Sequence, residues 1–93
     1  MIIEMDEAYR SLVVRDVEAE WVSPLVVTRG QVYDTRHCPG LIAVEEGKLT
    51  GYLLYLPKNE EWEILVLHAL EKNRGIGTAL IDALSEQMKA AGG

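Results

Sequence analysis

An apolar stripe near the C-terminal end limits this chain more than any other feature. From about Gly75 to Ala91, the residues Ile76, Ala79, Leu80, Ala83, Leu84, Met88 and Ala91 recur at three- and four-residue spacing. That spacing lines one face of an α-helix. Asp82, Glu86 and Lys89 stay off its centre. A helix apolar on one side must bury that side against another layer. Gly92 and Gly93 suit a C-terminal cap.

The preceding residues supply strands for that layer. Ser11–Val17 is rich in β-branched residues and reads as a strand. Asp16 is then placed to cap a short helix over Val17–Val22, stopped by Pro24. Leu25–Tyr33 is mostly apolar but broken by Gly30, and reads as a short strand or a covering loop. Cys38-Pro39-Gly40 reads as a turn. Leu41–Glu45 and Thr50–Leu56 form a hairpin through Glu46-Gly47-Lys48, with Gly47 supplying a positive φ. Pro57–Glu61 is a polar loop. In the strand Trp62–His68, alternation puts Trp62, Ile64, Val66 and His68 on one face and Glu63, Leu65 and Leu67 on the other. Both faces are largely apolar, which predicts cover on both sides. Short connections between strands favour antiparallel pairing. The expected class is α+β.

Ninety-three residues make one domain, expected to span 1–93. Hydrophobic residues at 48% and charged residues at 26% exclude a disordered tail, a collagen-like repeat and a coiled coil. No run approaches the ~18 apolar residues of a membrane span. Met1–Arg10 lacks the basic and apolar regions of a signal peptide. With a single cysteine there is no internal disulfide, and a reducing cytoplasm is the expected compartment. Fifteen acidic against nine basic residues give a net charge of −6. That argues against nucleic acid, whose binding needs clustered Lys and Arg. The negative field either favours cationic ligands or simply keeps the surface solvated.

The stretch that carries chemistry is Leu67-His68-Ala69-Leu70-Glu71-Lys72-Asn73-Arg74-Gly75-Ile76-Gly77-Thr78-Ala79-Leu80. It runs from a strand, through a basic glycine-containing loop, into the helix. The first N–H groups of a helix lack internal acceptors, and the helix dipole adds positive potential there. Glycines remove Cβ atoms that would hold an anion away. Together these make a cradle for phosphate or pyrophosphate. Two other phosphate motifs fail. A P-loop needs Gly-Lys followed by Ser or Thr, and the dinucleotide fingerprint needs a small residue where Leu80 stands.

The stretch resembles motif A of the GNAT superfamily, the acetyl-CoA-dependent N-acetyltransferases, with the pattern Arg/Gln-x-x-Gly-x-Gly/Ala. Gly75 and Gly77 match its glycines, and Lys72 stands where Arg or Gln is usual. The resemblance covers roughly Leu12–Gly93. It implies a partial GNAT-like fold: a mainly antiparallel sheet of about four strands with the long helix packed on it. The family's further strand, helix and closing hairpin, often with a tyrosine acting as general acid, are expected to be absent. It also implies acetyl-CoA as cofactor and a small-molecule or peptide amine as acceptor. The backbone of Leu65, Val66 and Leu67 would flank the pantetheine arm. The N–H groups of Lys72, Asn73, Arg74, Gly75, Ile76 and Gly77 would hold the pyrophosphate, and the Thr78 hydroxyl would reach a phosphate.

For catalysis Glu63 is the candidate base, or else a solvated member of an acidic cluster with Glu60 and Glu61. His68 either shuttles protons or merely closes the strand. Tyr33 and Asp34 are the candidates for acceptor contact. With one Cys and two His a zinc site lacks its usual ligand count, and His37 and Cys38, as neighbours in sequence, do not thereby make a nucleophile pair. A second reading makes the chain a non-catalytic interaction module, a homodimer or the partner of a complementing chain, joined at an exposed edge of Trp62–His68.

Overall fold

The computed structural model describes residues 1–21, 23–28, 30–57, 62–71 and 74–91. Its elements are β1 (Ile2–Glu4), α1 (Glu7–Trp21), β2 (Leu25–Thr28), β3 (Gln31–Asp34), β4 (Gly40–Glu45), β5 (Lys48–Pro57), β6 (Trp62–Ala69) and α2 (Ile76–Ala90). The class is α+β as expected. Four strands pair in the order β1-β4-β5-β6, every pair antiparallel, and β2–β3 is a separate hairpin.

Strand β5 decides the layering. Tyr52, Leu53, Leu54 and Tyr55 are consecutive and all buried. Because their side chains alternate, both faces of the sheet need cover. On one face Tyr52, Leu54 and Ile42 pack with Val13 and Val17 of α1 and Val26 of β2. On the other, Leu53, Tyr55, Leu41 and Ala43 pack with Ile76, Leu80 and Leu84 of α2. The apolar stripe read from the sequence is therefore the buried side of α2, although Ala79 and Ala91 at its margins are exposed. The cap assigned to Gly92 and Gly93 lies outside the described residues.

The strand expected over Ser11–Val17 is instead the middle of α1. Its valines 13, 14 and 17 fall on one helical side and are buried. Tertiary burial there overrides the β-preference of branched residues. Asp16 caps nothing. The helix starts ten residues earlier, where Asp6 Oδ1 accepts from the Ala8 N–H at 2.8 Å. The fourth strand of the sheet is β1, in the acidic N-terminal stretch. The segment around Gly30, open between strand and loop, is the β2–β3 hairpin. The turn that reverses the chain before β4 centres on Thr35–Arg36, closed by His37 N–H on Asp34 O at 3.0 Å, and Gly40 already belongs to β4. The β4–β5 turn matches its reading, with Glu46 at φ 51° and Gly47 at φ 77°.

Strand β6 departs from simple alternation. Leu54 pairs with Val66, but Tyr55 pairs with Ile64, so Leu65 is an extra residue in a bulge. Trp62 packs toward α2 and stacks on Tyr55 at 5.2 Å. Leu65 and Val66 both pack toward α1. Trp62 and His68 therefore lie on opposite faces, not on the shared face that strict alternation gives. Nor is β6 fully covered: as the outer strand it leaves Ile64 41% and Leu67 39% exposed.

Gly51 ties the sheet to the start of α2. A Cβ there would lie 2.6 Å from Ile76 Cγ2 and 3.1 Å from His68 O. Gly51→Ala is expected to cost about 1–3 kcal/mol through overpacking. The check is a fall in the urea midpoint at unchanged m-value.

Candidate functional site

Two features meet along β6. The first is the loop after it. Gly75 adopts the left-handed region, φ 66°, as the residue before α2, and no side chain caps the helix. The first helical bond runs from Ala79 N–H to Gly75 O at 2.9 Å. The N–H groups of Ile76, Gly77 and Thr78 are left without helical acceptors. No acidic residue stands in that first turn. The Ile76 side chain belongs to the core, so only its backbone is available at the helix end. Lys72 and Asn73 lie outside the described residues. The Arg74 guanidinium is shared between Glu45 Oε2 at 2.8 Å and Glu71 Oε1 at 2.9 Å. Its charge is thus already matched, so among the described residues the positive potential at this helix end rests on the backbone.

Among the described residues nothing requires glycine at position 77. A Cβ built on it meets nothing within 4 Å. Glycine inside a helix costs about 0.5–1 kcal/mol relative to alanine. A helix N-terminus of this kind is open to an approaching anion.

The second feature is a cleft of about 350 Å³ on the α1 face, lined by Glu20, Trp21, Tyr52 and the run Leu65–His68. The bulge at Leu65 forms one wall. Behind it, Asp16 Oδ2 accepts the Tyr52 hydroxyl at 2.5 Å and contacts His68 Nδ1 at 2.6 Å. The Tyr52 and His68 rings meet edge to face at 5.8 Å. Burial, reinforced by the Asp16 hydrogen bond and charge, pushes the Tyr52 phenol far above its ordinary value. Neither Asp16 nor Tyr52 was singled out as functional in the sequence. Their meeting needs α1 to be a helix, and no local signal places residue 16 beside residues 52 and 68.

The remaining candidates are dispersed. Register places Glu63 opposite Leu56, across the bulge from His68 and outside the cleft wall. Tyr33 donates to Gln31 Oε1 at 2.8 Å and packs against the α1-face core. Asp34 is engaged by Arg36 at 2.7 Å, and these hydrogen bonds lower its carboxyl to about 2. Neither Tyr33 nor Asp34 lines the cleft. Cys38 is buried, and burial raises its thiol, the reverse of an activated nucleophile. Among the described residues no cluster has the makings of a metal site. No described helix is long and apolar enough to cross a membrane.

Residues 5–93 match the Acetyltransferase (GNAT) family, and the chain belongs to that family. It is 27% identical over 92 residues, 98% of its length, to the uncharacterized protein YdhI of Bacillus subtilis (strain 168). It is also 27% identical over 86 residues to the uncharacterized protein YxbD of the same organism, covering 91% of this chain. It spans 58% and 54% of those two relatives. No solved structure matches it significantly.

The raised Tyr52 phenol gives an alkaline signature. Below about pH 10 both folded and unfolded states keep this proton. Above it the unfolded chain releases the proton while the folded chain retains it. Stability then falls with rising pH, by about 1.4 kcal/mol per pH unit for one such group. Tyr55, raised chiefly by burial, adds in the same sense. Urea midpoints between pH 9 and 11.5 are expected to fall less steeply in Tyr52→Phe.

Proposed function

We propose that this chain is the acetyl-CoA-binding part of an N-acetyltransferase acting on a primary amine. The observation that carries this reading is the uncapped N-terminus of α2, with Gly77 left open, directly after a bulged edge strand. The donor set suits a pyrophosphate: three N–H groups without helical acceptors, no carboxylate in the first turn, and glycines where side chains would intrude. The Thr78 hydroxyl, exposed in that turn, adds a fourth donor. The bulge frees the backbone around Leu65, Val66 and Leu67 from strict ladder pairing. As the outer strand, β6 offers its edge hydrogen-bonding groups to an extended amide-bearing arm laid along it. When bound, acetyl-CoA would supply an acetyl thioester, whose acetyl group passes to the amine nitrogen as the C–S bond breaks, with the second amine proton going to the departing thiolate. The chain's contribution is to position the amine, remove an ammonium proton and offer backbone N–H groups to developing charge. Glu63, on the edge strand, is one candidate to take that proton.

Calorimetric titration with acetyl-CoA tests the reading. Binding is expected in the unmodified chain, and Gly77→Glu is expected to weaken it at least tenfold. Gly77→Ala should raise the thermal midpoint while still weakening the ligand. Wild-type affinity in both variants would remove the site from α2.

A second reading is favoured by the outer edge of β6, which has no strand beyond it among the described residues and leaves Ile64 and Leu67 exposed. Such an edge recruits a second copy or a complementing chain. Light scattering at tens of micromolar separates the readings: a dimer that ignores acetyl-CoA favours an interaction module, and a monomer excludes obligatory pairing.

A further inference from the structure

The cleft beside β6 carries a charge pattern that the acetyl donor does not explain. α1 ends at Trp21 with no basic residue in its last turn, so its carbonyl end presents uncompensated negative potential. Glu20 lines the cleft there, and its charge is felt at Tyr52. Asp16 adds a second carboxylate behind the wall. No described Lys or Arg lines this space. Trp21, 49% exposed, offers an indole face, and Leu65, Val66 and Leu67 supply apolar surface. Negative potential with an aromatic face attracts a cation. The volume, about 350 Å³, is at the small end for small-molecule sites.

The hydrogen bonds also fix the tautomer of the neutral His68 ring. Asp16 Oδ2 already accepts the Tyr52 hydroxyl, and a carboxylate only accepts. The 2.6 Å contact from His68 Nδ1 to the same oxygen is then an N–H donation. In the neutral ring the lone pair lies on Nε2, which has no hydrogen-bond partner among the described residues.

We propose that this cleft is the acceptor site, that it takes a small primary ammonium ion with an aromatic or aliphatic body, and that His68, oriented by Asp16, removes its proton. The inference rests on the acetyltransferase reading and names its substrate class. The step moves one proton from the ammonium nitrogen to Nε2, leaving a neutral amine and an imidazolium whose charge faces Asp16. Asp16 is a positioning residue. Glu20 and Trp21 hold the cation and its body.

Titration of the chain with 2-phenylethylamine and with uncharged 2-phenylethanol tests the cleft directly. The amine is expected to bind at least tenfold tighter. Glu20→Gln and Trp21→Ala should each weaken it at least fivefold while leaving acetyl-CoA affinity unchanged. Equal binding of the alcohol, or wild-type amine affinity in both variants, overturns the site. So does a tenfold preference for a lysine peptide with a blocked N-terminus. Nitrogen-15 spectra of neutral His68 should place its proton on Nδ1, and a proton on Nε2 overturns the orientation by Asp16. In turnover, His68→Gln should lower kcat at least 100-fold with the amine KM within threefold. An effect of that size in Glu63→Gln instead moves the base to Glu63. Amine binding without acetyl-CoA binding would sink the acetyltransferase reading and leave the cleft standing. Acetyl-CoA binding without amine binding would sink the cleft alone.

Discussion

Strand β5 cannot meet water on either face. Tyr52, Leu53, Leu54 and Tyr55 follow one another, all buried, and alternate between the two sides of the sheet. Each side must therefore be covered, and the chain has one helix for each. α2 covers one with Ile76, Leu80 and Leu84. α1 and the β2–β3 hairpin cover the other. The remaining arrangement follows from this two-sided burial, including the position of the α2 N-terminus just past the end of β6.

The bulge at Leu65 turns that layered frame into a site. One extra residue reverses the facing of everything that follows it. Trp62 can then stack on Tyr55 toward α2, while His68 faces α1 and reaches Asp16. Without the extra residue, the residues facing Trp62's side and those facing the cleft would exchange places beyond position 65. A cleft wall that holds a histidine thus comes from a single insertion in the pairing. The outer edge of β6 has no strand beyond it among the described residues.

Asp16 joins the two layers at that point. Its carboxylate accepts from Tyr52 on β5 and contacts His68 on β6, so a residue in the middle of a helix braces the wall of the cleft. Such a bridge links stability to function. The Tyr52 hydroxyl satisfies a partly buried charge, and Asp16 holds the His68 ring through Nδ1. The two glycines of the loop divide their roles in a similar way. Gly75 is needed by the fold, because its φ of 66° disfavours a side chain. Gly77 is not needed by the fold, since its Cβ would meet open space.

What the sequence determined by itself is local. The three- and four-residue spacing set α2, the Glu46-Gly47 turn set the β4–β5 hairpin, and Gly75 ahead of an apolar face marked where that helix begins. Each depends on periods or dihedral preferences that a few neighbouring residues carry. Ser11–Val17 misled because branched residues favour strands only where a sheet receives them, and here the buried face of a helix received Val13, Val14 and Val17. Tertiary structure alone decided the bulge, which depends on the register against β5. It alone brought Asp16, Tyr52 and His68 together, because contacts between residues 16, 52 and 68 arise from packing across layers and leave no periodic trace in the chain.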